Sequence, residues 1–406
     1  MATERSGPLR DVFVLDLTQA LAGPFCTMLL ADLGADVVKV EPPRGDMSRN
    51  QIPHPPDRDG CDHGGYFGSI NRNKRSVMLN LKEEPGRQAL LKLAAKADVV
   101  IENARVGVMD RLGIGYEVLA ELNPRLVYAA IRGFGDPRTG ESPYASWPAF
   151  DVVAQCMGGV VGLTGPTGTD GSRCGASVGD LFPGTLCALG IAAAVHSARQ
   201  TGKGQFMDVA MYDGVLALCE NLVYRYSFEG NVLEPSGSGH PALYPFDVFP
   251  TSDGGCAIAA PNDKQWGDLC RAMDRNDLID DERSNGNLTR LENRDFVSEQ
   301  IEAWTKSRTT SEIVDALAGV VPVGPRNQAP DIFADPHVEA RQMLVEVPLP
   351  GNNESVVYAG SPIKMTATPP GIYRRAPNLG EHTDEVLASI GLTTADLEPP
   401  DGENGR

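Results

Sequence analysis

Cationic residues are the scarce charge in this chain: 36 Lys and Arg stand against 54 Asp and Glu over 406 residues, a formal net charge of -18. So acidic a surface repels nucleic acid and anionic membranes, and any phosphate-bearing ligand must be met by a local cluster of cations. Paired cysteines are missing as well. The eight Cys (26, 61, 156, 174, 187, 219, 256 and 270) form no C-x-x-C and sit mostly among apolar or small residues, which reads as buried, reduced thiols. The six His are dispersed without metal-ligand spacing, so no metal site is expected. Residues 1–10 lack the apolar core of a signal peptide, and no apolar stretch approaches the roughly 20 residues that span a bilayer. A cytoplasmic location, with no membrane and no nucleic acid among its partners, is the expectation. P-loop and H-E-x-x-H patterns are absent. The first strand-to-helix turn, residues 17–24, lacks the three glycines that admit a dinucleotide pyrophosphate, which disfavours nicotinamide binding.

What is present is an alternation of strand and helix patterns. Residues 12–17 (VFVLDL) form a β-prone run, a helical pattern opens at Gly23 and Pro24 and runs to Leu33, and residues 36–40 (DVVKV) form a second run. The pattern repeats with a helix at 82–96, a strand at 98–102, a helix at 116–123 and a strand at 126–131. Such alternation implies a parallel sheet covered on both faces, because parallel neighbours need crossover connections. A glycine-rich stretch follows Asp151, then an apolar segment at 185–198 expected to be a buried helix, and a further helix at 208–220. Gly, Pro and Ser interrupt the pattern around 226–250, hairpin strands are expected at 247–251 and 255–260, and a mostly helical stretch spans 264–318. Short strands near Val345 and Ser361 and a last helix at 383–390 complete the chain. The fold class is α/β, one large domain interrupted by a smaller α+β domain. Residues 1–225 supply the N-terminal part of the large domain, 226–330 a linker and the small domain, and 331–406 the C-terminal part and return linker.

Seven separated segments carry a family resemblance: LDLTQALAGPFCTMLLADLGADVVKVEPPRGD (15–46), NRNKRSVMLNLK (71–82), ADVVIEN (97–103), DRLGIGY (110–116), VGD (178–180), TGKGQFMDVAMYDG (201–214) and LGEHTDEVL (379–387). Together they resemble the class III coenzyme A transferases, the CaiB/BaiF family that includes formyl-CoA transferase. The resemblance implies a Rossmann-like large domain whose parallel sheet is built from both chain ends, and a homodimer of two interlocked subunits. It implies a coenzyme A thioester as substrate and no tightly bound cofactor.

Local sequence makes Asp180, just before the apolar segment, a helix N-cap. The family resemblance makes it the nucleophile: a carboxylate of ordinary pKa near 3.9 is ionised at neutral pH and can take the acyl group without a base. Gly179 and the 236–239 loop (SGSG), with Gly237 and Gly239, are candidate oxyanion donors or substrate contacts, since no side chain blocks their amides. Asp151 matches a family carboxylate near the reacting centre. Asn71, Arg72, Asn73, Lys74 and Arg75 gather three cations suited to the CoA phosphates, the alternative being a solvated charge run. By the same resemblance Gln19, Ala20 and Leu21 line the pantetheine path, and Asn103 and Arg111 contact CoA. Leu21 stands where formyl-CoA transferase has Gln, and that enzyme's tetraglycine loop is not reproduced, so oxalate is a disfavoured acid. Phe150 stands where the family's racemases have a His; Phe cannot exchange a proton, which demotes α-methylacyl-CoA racemisation. His240 is a further substrate candidate. A non-catalytic CoA-binding subunit is the remaining alternative, against which the intact Gly179-Asp180 pair argues. The expected activity is transfer of CoA between carboxylic acids, dicarboxylates such as succinate among them, within or between molecules.

Overall fold

The computed structural model describes residues 5–55, 60–351 and 354–398. Six short apolar runs, β1 (Phe13–Asp16), β2 (Asp36–Glu41), β3 (Arg75–Met78), β4 (Val99–Glu102), β5 (Val127–Arg132) and β6 (Gln205–Ala210), form one sheet in the order β3-β2-β1-β4-β5-β6. Every pairing is parallel, and crossover helices at Ala22–Asp32, Gly65–Asn71, Glu84–Ala94 and Tyr116–Leu122 make that possible. Side chains alternate between faces. Leu15, Val38, Val40, Val77 and Val100 point to one face and pack with Leu90, Leu93 and Leu119 of the helices. The intervening residues Asp16, Lys39 and Ser76 are also fully buried, on the opposite face, where Thr27 of the first helix donates to Asp16 at 2.7 Å. Strand order reverses between β1 and β4, so the loops leaving their carboxyl ends diverge and leave a crevice, the usual ligand position in such sheets.

The chain divides into two compact units. One holds Met1–Val160, Cys174–Val223 and His337–Arg406; the other holds Val161–Arg173 and Tyr224–Pro336. The second contains an antiparallel sheet of β7 (Phe246–Pro250), β8 (Gly255–Ala259) and β9 (Val323–Pro325), its core built on Trp266, Ile258, Ile301 and Ile313. In the first unit, β10 (Leu344–Pro348) and β11 (Ser355–Ala359) pair as a separate hairpin. Among the described residues, the C-terminal part therefore gives the parallel sheet no strand, unlike the expectation of a sheet built from both chain ends. Its contribution is the helix Thr383–Ala388, whose Val386 and Leu387 complete the core beside β3.

Three local expectations change. The helix expected from 208 begins at Met211, because residues 205–210 pair with β5 as an edge strand. Strand β3 was hidden in the sequence by the charges that precede it. The apolar segment at 185–198 belongs to a helix, Val178–Thr201, of 24 residues, long and apolar enough by length and composition to cross a membrane. Asp180, Pro183, His196 and Arg199 punctuate it and shorten its apolar run in the sequence. Its buried positions, among them Gly184, Cys187, Ile191 and Ala194, recur at helical spacing, and it packs against the first helix, β5 and β6. At Gly184 a Cβ would stand 2.6 Å from the Ala22 carbonyl oxygen, so only glycine allows this approach. Six of the eight Cys are buried; Cys156 is exposed and Cys174 half-buried.

Candidate active site

A cavity of about 980 Å³ lies in the first unit at the carboxyl edge of the sheet. Residues 19–22 after β1, 42–44 after β2, 79–82 after β3 and 103–106 after β4 line it, together with 131–133 and 147–150, Met211 and Asp180. The first helical turn of Val178–Thr201 carries Asp180, with Ser177 at the N-cap position, so Asp180 is inside the helix and does not cap it. No described residue donates a hydrogen bond to its carboxylate. Burial, and then the charge of Asp151, raises its pKa from 3.8 to about 7. The carboxyl is thus poised near neutrality, in contrast to the fully ionised group that an ordinary value would give.

Asp151, buried at the start of the helix Asp151–Met157, is committed to structure. Its Oδ1 accepts the Gly179 amide at 2.9 Å, and Gln155 Nε2 donates to both its oxygens at 2.9 Å. The Gly179 N–H is spent on that bond and is no oxyanion donor here; a Cβ at Gly179 would lie 2.5 Å from the Asp151 carbonyl oxygen. Phe150 is largely exposed and shares the cavity wall with Asp180. Sequence reasoning missed Tyr66, on the helix Gly65–Asn71. Burial and the charges of Asp180, Asp46 and Asp151 push its hydroxyl up to about 12, so it remains a proton donor among three carboxylates.

The cation cluster read from the sequence is corrected by the structure. Asn71, Arg72, Asn73 and Lys74 are almost wholly buried, and none of these four, nor Arg75, lines the cavity. Arg72 pairs with Asp32 at 2.7 Å and Asn73 donates to the same Asp32 at 2.8 Å. Lys74 holds Asp16 at 3.0 Å, the Pro24 carbonyl at 2.9 Å and Asn71 Oδ1 at 2.9 Å. Arg75 pairs with Asp36 and Glu385. Arg72 and Lys74 are consumed by buried carboxylates beneath the sheet edge, where an unpaired charge would be costly, and Arg75 by two partly exposed ones. Burial pushes Asp16 up, but the charges of Lys74 and Lys39 and the hydroxyls of Thr18 and Thr27 outweigh it and hold Asp16 at about 2.

Other cations take the exposed positions. Arg44, Lys82 and Arg105 line the cavity and form no ion pair with a described residue. They come from three different strand ends, so nothing in their sequence spacing marks them. Arg132 also lines the cavity but is engaged with Glu102 and Asp136. Arg111 lies exposed on the short turn Val108–Arg111 and is not part of the lining. Gln19, Ala20, Leu21 and Asn103 do line it. In the second unit, the Gly237 amide donates to Gly165 O at 2.9 Å and the Gly239 amide to Ser236 O at 3.3 Å, so neither is free for an oxyanion. His240 Nδ1 accepts the Ala242 amide at 3.0 Å, and burial followed by the charges of Arg225 and Arg294 lowers its pKa.

Comparison with known proteins agrees over nearly the whole chain. The model of the family described as CoA-transferase family III matches residues 9–383. A succinyl-CoA:mesaconate CoA-transferase of Haloarcula hispanica is 48% identical over 388 residues, covering 96% of this chain and 98% of that protein. A succinate–glutarate CoA-transferase of Agrobacterium fabrum is 36% identical, covering 95% and 96%. The crystal structure of a CaiB/BaiF family protein from Brucella suis superposes with a TM-score of 0.84 at 35% identity, covering 95% of this chain and all of that one.

Proposed function

The chain belongs to CoA-transferase family III, and we propose that it exchanges CoA between a dicarboxylic acyl-CoA and a second dicarboxylate, with Asp180 as the covalent carrier. The observation that carries this reading is the Asp180 carboxylate, to which no described residue donates, in the wall of a cavity rimmed by Arg44, Lys82 and Arg105, which form no ion pair with a described residue. Those cations suit the phosphates of CoA, which an acidic protein must meet locally. The dicarboxylate substrates named in the Haloarcula and Agrobacterium relatives support the substrate class.

In its ionised form Asp180 attacks the thioester carbonyl carbon; the C–S bond breaks, CoA leaves as thiolate and an aspartyl acyl anhydride remains. The thiolate returns to the aspartyl carbonyl, releases the first acid as its carboxylate and leaves an aspartyl-CoA thioester. The acceptor carboxylate then displaces the thiolate to form a second anhydride, and attack of the thiolate on the new acyl carbon yields product and restores Asp180. Every step is redox-neutral and the substrates supply all the groups exchanged, so the chemistry calls for no tightly bound cofactor. Tyr66, protonated at neutral pH, is a donor available to the developing oxyanion. The apolar side chains of Leu189, Leu216 and Leu218, exposed on this chain, support a homodimer, which we place in the cytoplasm with its two subunits interlocked.

The test is an acceptor screen: succinyl-CoA against a panel of mono- and dicarboxylates, read by the mass of the CoA product. Dicarboxylates of four or five carbons are expected to yield their CoA esters. Failure of every acid, or exchange of the α-proton of a branched acyl-CoA without transfer, would overturn the proposal.

A further inference from the structure

Backbone groups in the turn that follows β1 are held by side chains from elsewhere in the fold. The Thr18 carbonyl accepts from Lys39 Nζ at 2.7 Å. The Gln19 amide donates to Asn103 Oδ1 at 2.9 Å, and its carbonyl accepts from Asn103 Nδ2 at 2.7 Å. The Ala20 amide donates to Asp46 Oδ1 at 3.2 Å. Among the described residues, 18–20 take part in no backbone-to-backbone hydrogen bond of a turn or loop. Ala20 has φ 67°, a left-handed conformation that a residue with a Cβ seldom adopts. A turn so strained keeps its shape only where its surroundings over-determine it.

Two of those outside partners are joined. Lys39 Nζ lies 2.8 Å from Asp46 Oδ2, and both side chains are inaccessible to solvent. The pair brackets Gln19, with Lys39 on the carbonyl before it and Asp46 on the amide after it. Asp46 Oδ1 also accepts the Ser48 amide and hydroxyl, each at 2.8 Å, so one oxygen fastens two parts of the cavity wall: residues 19–22 and the segment that carries Arg44 and Met47. Neither Lys39 nor Asp46 lines the cavity.

We infer that the Lys39–Asp46 pair is a positioning element for acyl transfer: from beneath the cavity floor it fixes the 18–20 backbone, and hence the wall that holds the thioester for attack by Asp180. The inference rests on the reading of Asp180 as the acyl carrier. A purely structural ion pair would matter only through the folded fraction, whereas a positioning pair changes the rate of each folded molecule. Its removal loosens a turn that shares the cavity with the reacting carboxylate, and small misplacements of that kind are expensive in rate.

The experiment follows formation of the Asp180 adduct from succinyl-CoA in a single turnover, normalised to folded protein by circular dichroism, with CoA affinity measured separately. Asp46→Ala is expected to slow acylation by about tenfold or more while changing CoA affinity less than about threefold. Asp46→Asn, which keeps an acceptor for Ala20 and Ser48, is expected to recover most of the rate. Acylation at the wild-type rate in folded Asp46→Ala, or rate and affinity lost in equal proportion, would overturn the proposal. If Asp46→Ala does not fold, Ala20→Gly serves in its place. It keeps every bond but frees the turn, and is expected to lose several-fold in acylation with no fall in melting temperature; an unchanged rate there would overturn the proposal equally. A wild-type protein that forms no Asp180 adduct would instead overturn the carrier assignment on which the proposal rests.

Discussion

Replacing Asp180 by Asn is expected to silence the enzyme and, at alkaline pH, to stabilise it. Burial and the Asp151 charge raise the folded carboxyl from 3.8 to about 7. Below the unfolded value both states are protonated and the group costs nothing. As pH rises from about 4 to about 7 the unfolded chain releases its proton first, so stability falls throughout that window. At ~1.4 kcal/mol per pH unit the full loss is ~4 kcal/mol, an upper bound that partial solvent access reduces. The Asn side chain does not titrate. Its stability advantage over wild type should therefore widen by ~1–2 kcal/mol between pH 5 and pH 8, roughly 1–3 °C in melting midpoint for a chain of this size. Paired thermal melts of the two proteins at both pH values read this double difference, from which the other titrating groups largely cancel. A gap that stays constant or narrows towards pH 8 would refute the claim that the fold holds Asp180 against its ionisation.

The same carboxyl governs the rate. Acylation of wild type should rise with pH through about 7 to a plateau as Asp180 ionises, and Asp151→Asn should move that limb to lower pH by removing a neighbouring negative charge; stopped-flow release of CoA thiol measures both. Arg44→Ala, Lys82→Ala and Arg105→Ala should each raise KM for acyl-CoA by about 3–10-fold with kcat nearly retained, and the effect should shrink in high salt, as steady-state kinetics at two ionic strengths would show. Lys74→Met should behave differently. By leaving Asp16 and its partners uncompensated it should cost about 3–5 kcal/mol of stability in urea titration, with no selective loss of CoA affinity in the protein that remains folded.

Period and alternation made the sheet legible: the runs that became β1, β2, β4 and β5 read as buried strands, and β7 and β8 as a hairpin. Strands β3 and β6 did not, because Arg75 and Asp208 bring charge to positions that an ion pair and hydrogen bonds, respectively, accommodate only in three dimensions. The carboxylate most exposed to consequence, Asp180, was legible through the family resemblance, but its environment was not. A sequence shows an Asp before an apolar helix, whereas burial and the proximity of Asp151, which shift its pKa, exist only in the fold. The largest error was the reading of Asn71, Arg72, Asn73, Lys74 and Arg75 as a phosphate clamp. Three cations in five residues suggest a ligand when their partners, Asp16, Asp32 and Asp36, lie about 40 to 60 residues away in sequence. The cations left for a ligand, Arg44, Lys82 and Arg105, are scattered over three strand ends and converge only because parallel strands deliver their loops to one edge.

The covalent role of Asp180 is the centre of this account, and trapping tests it most directly. The protein is incubated with succinyl-CoA, quenched with hydroxylamine, digested, and the modified peptide located by mass spectrometry. An aspartyl hydroxamate at Asp180, absent without acyl-CoA and absent from Asp180→Ala, is the predicted result. Modification at another residue, or exchange by Asp180→Ala at near the wild-type rate, would contradict it.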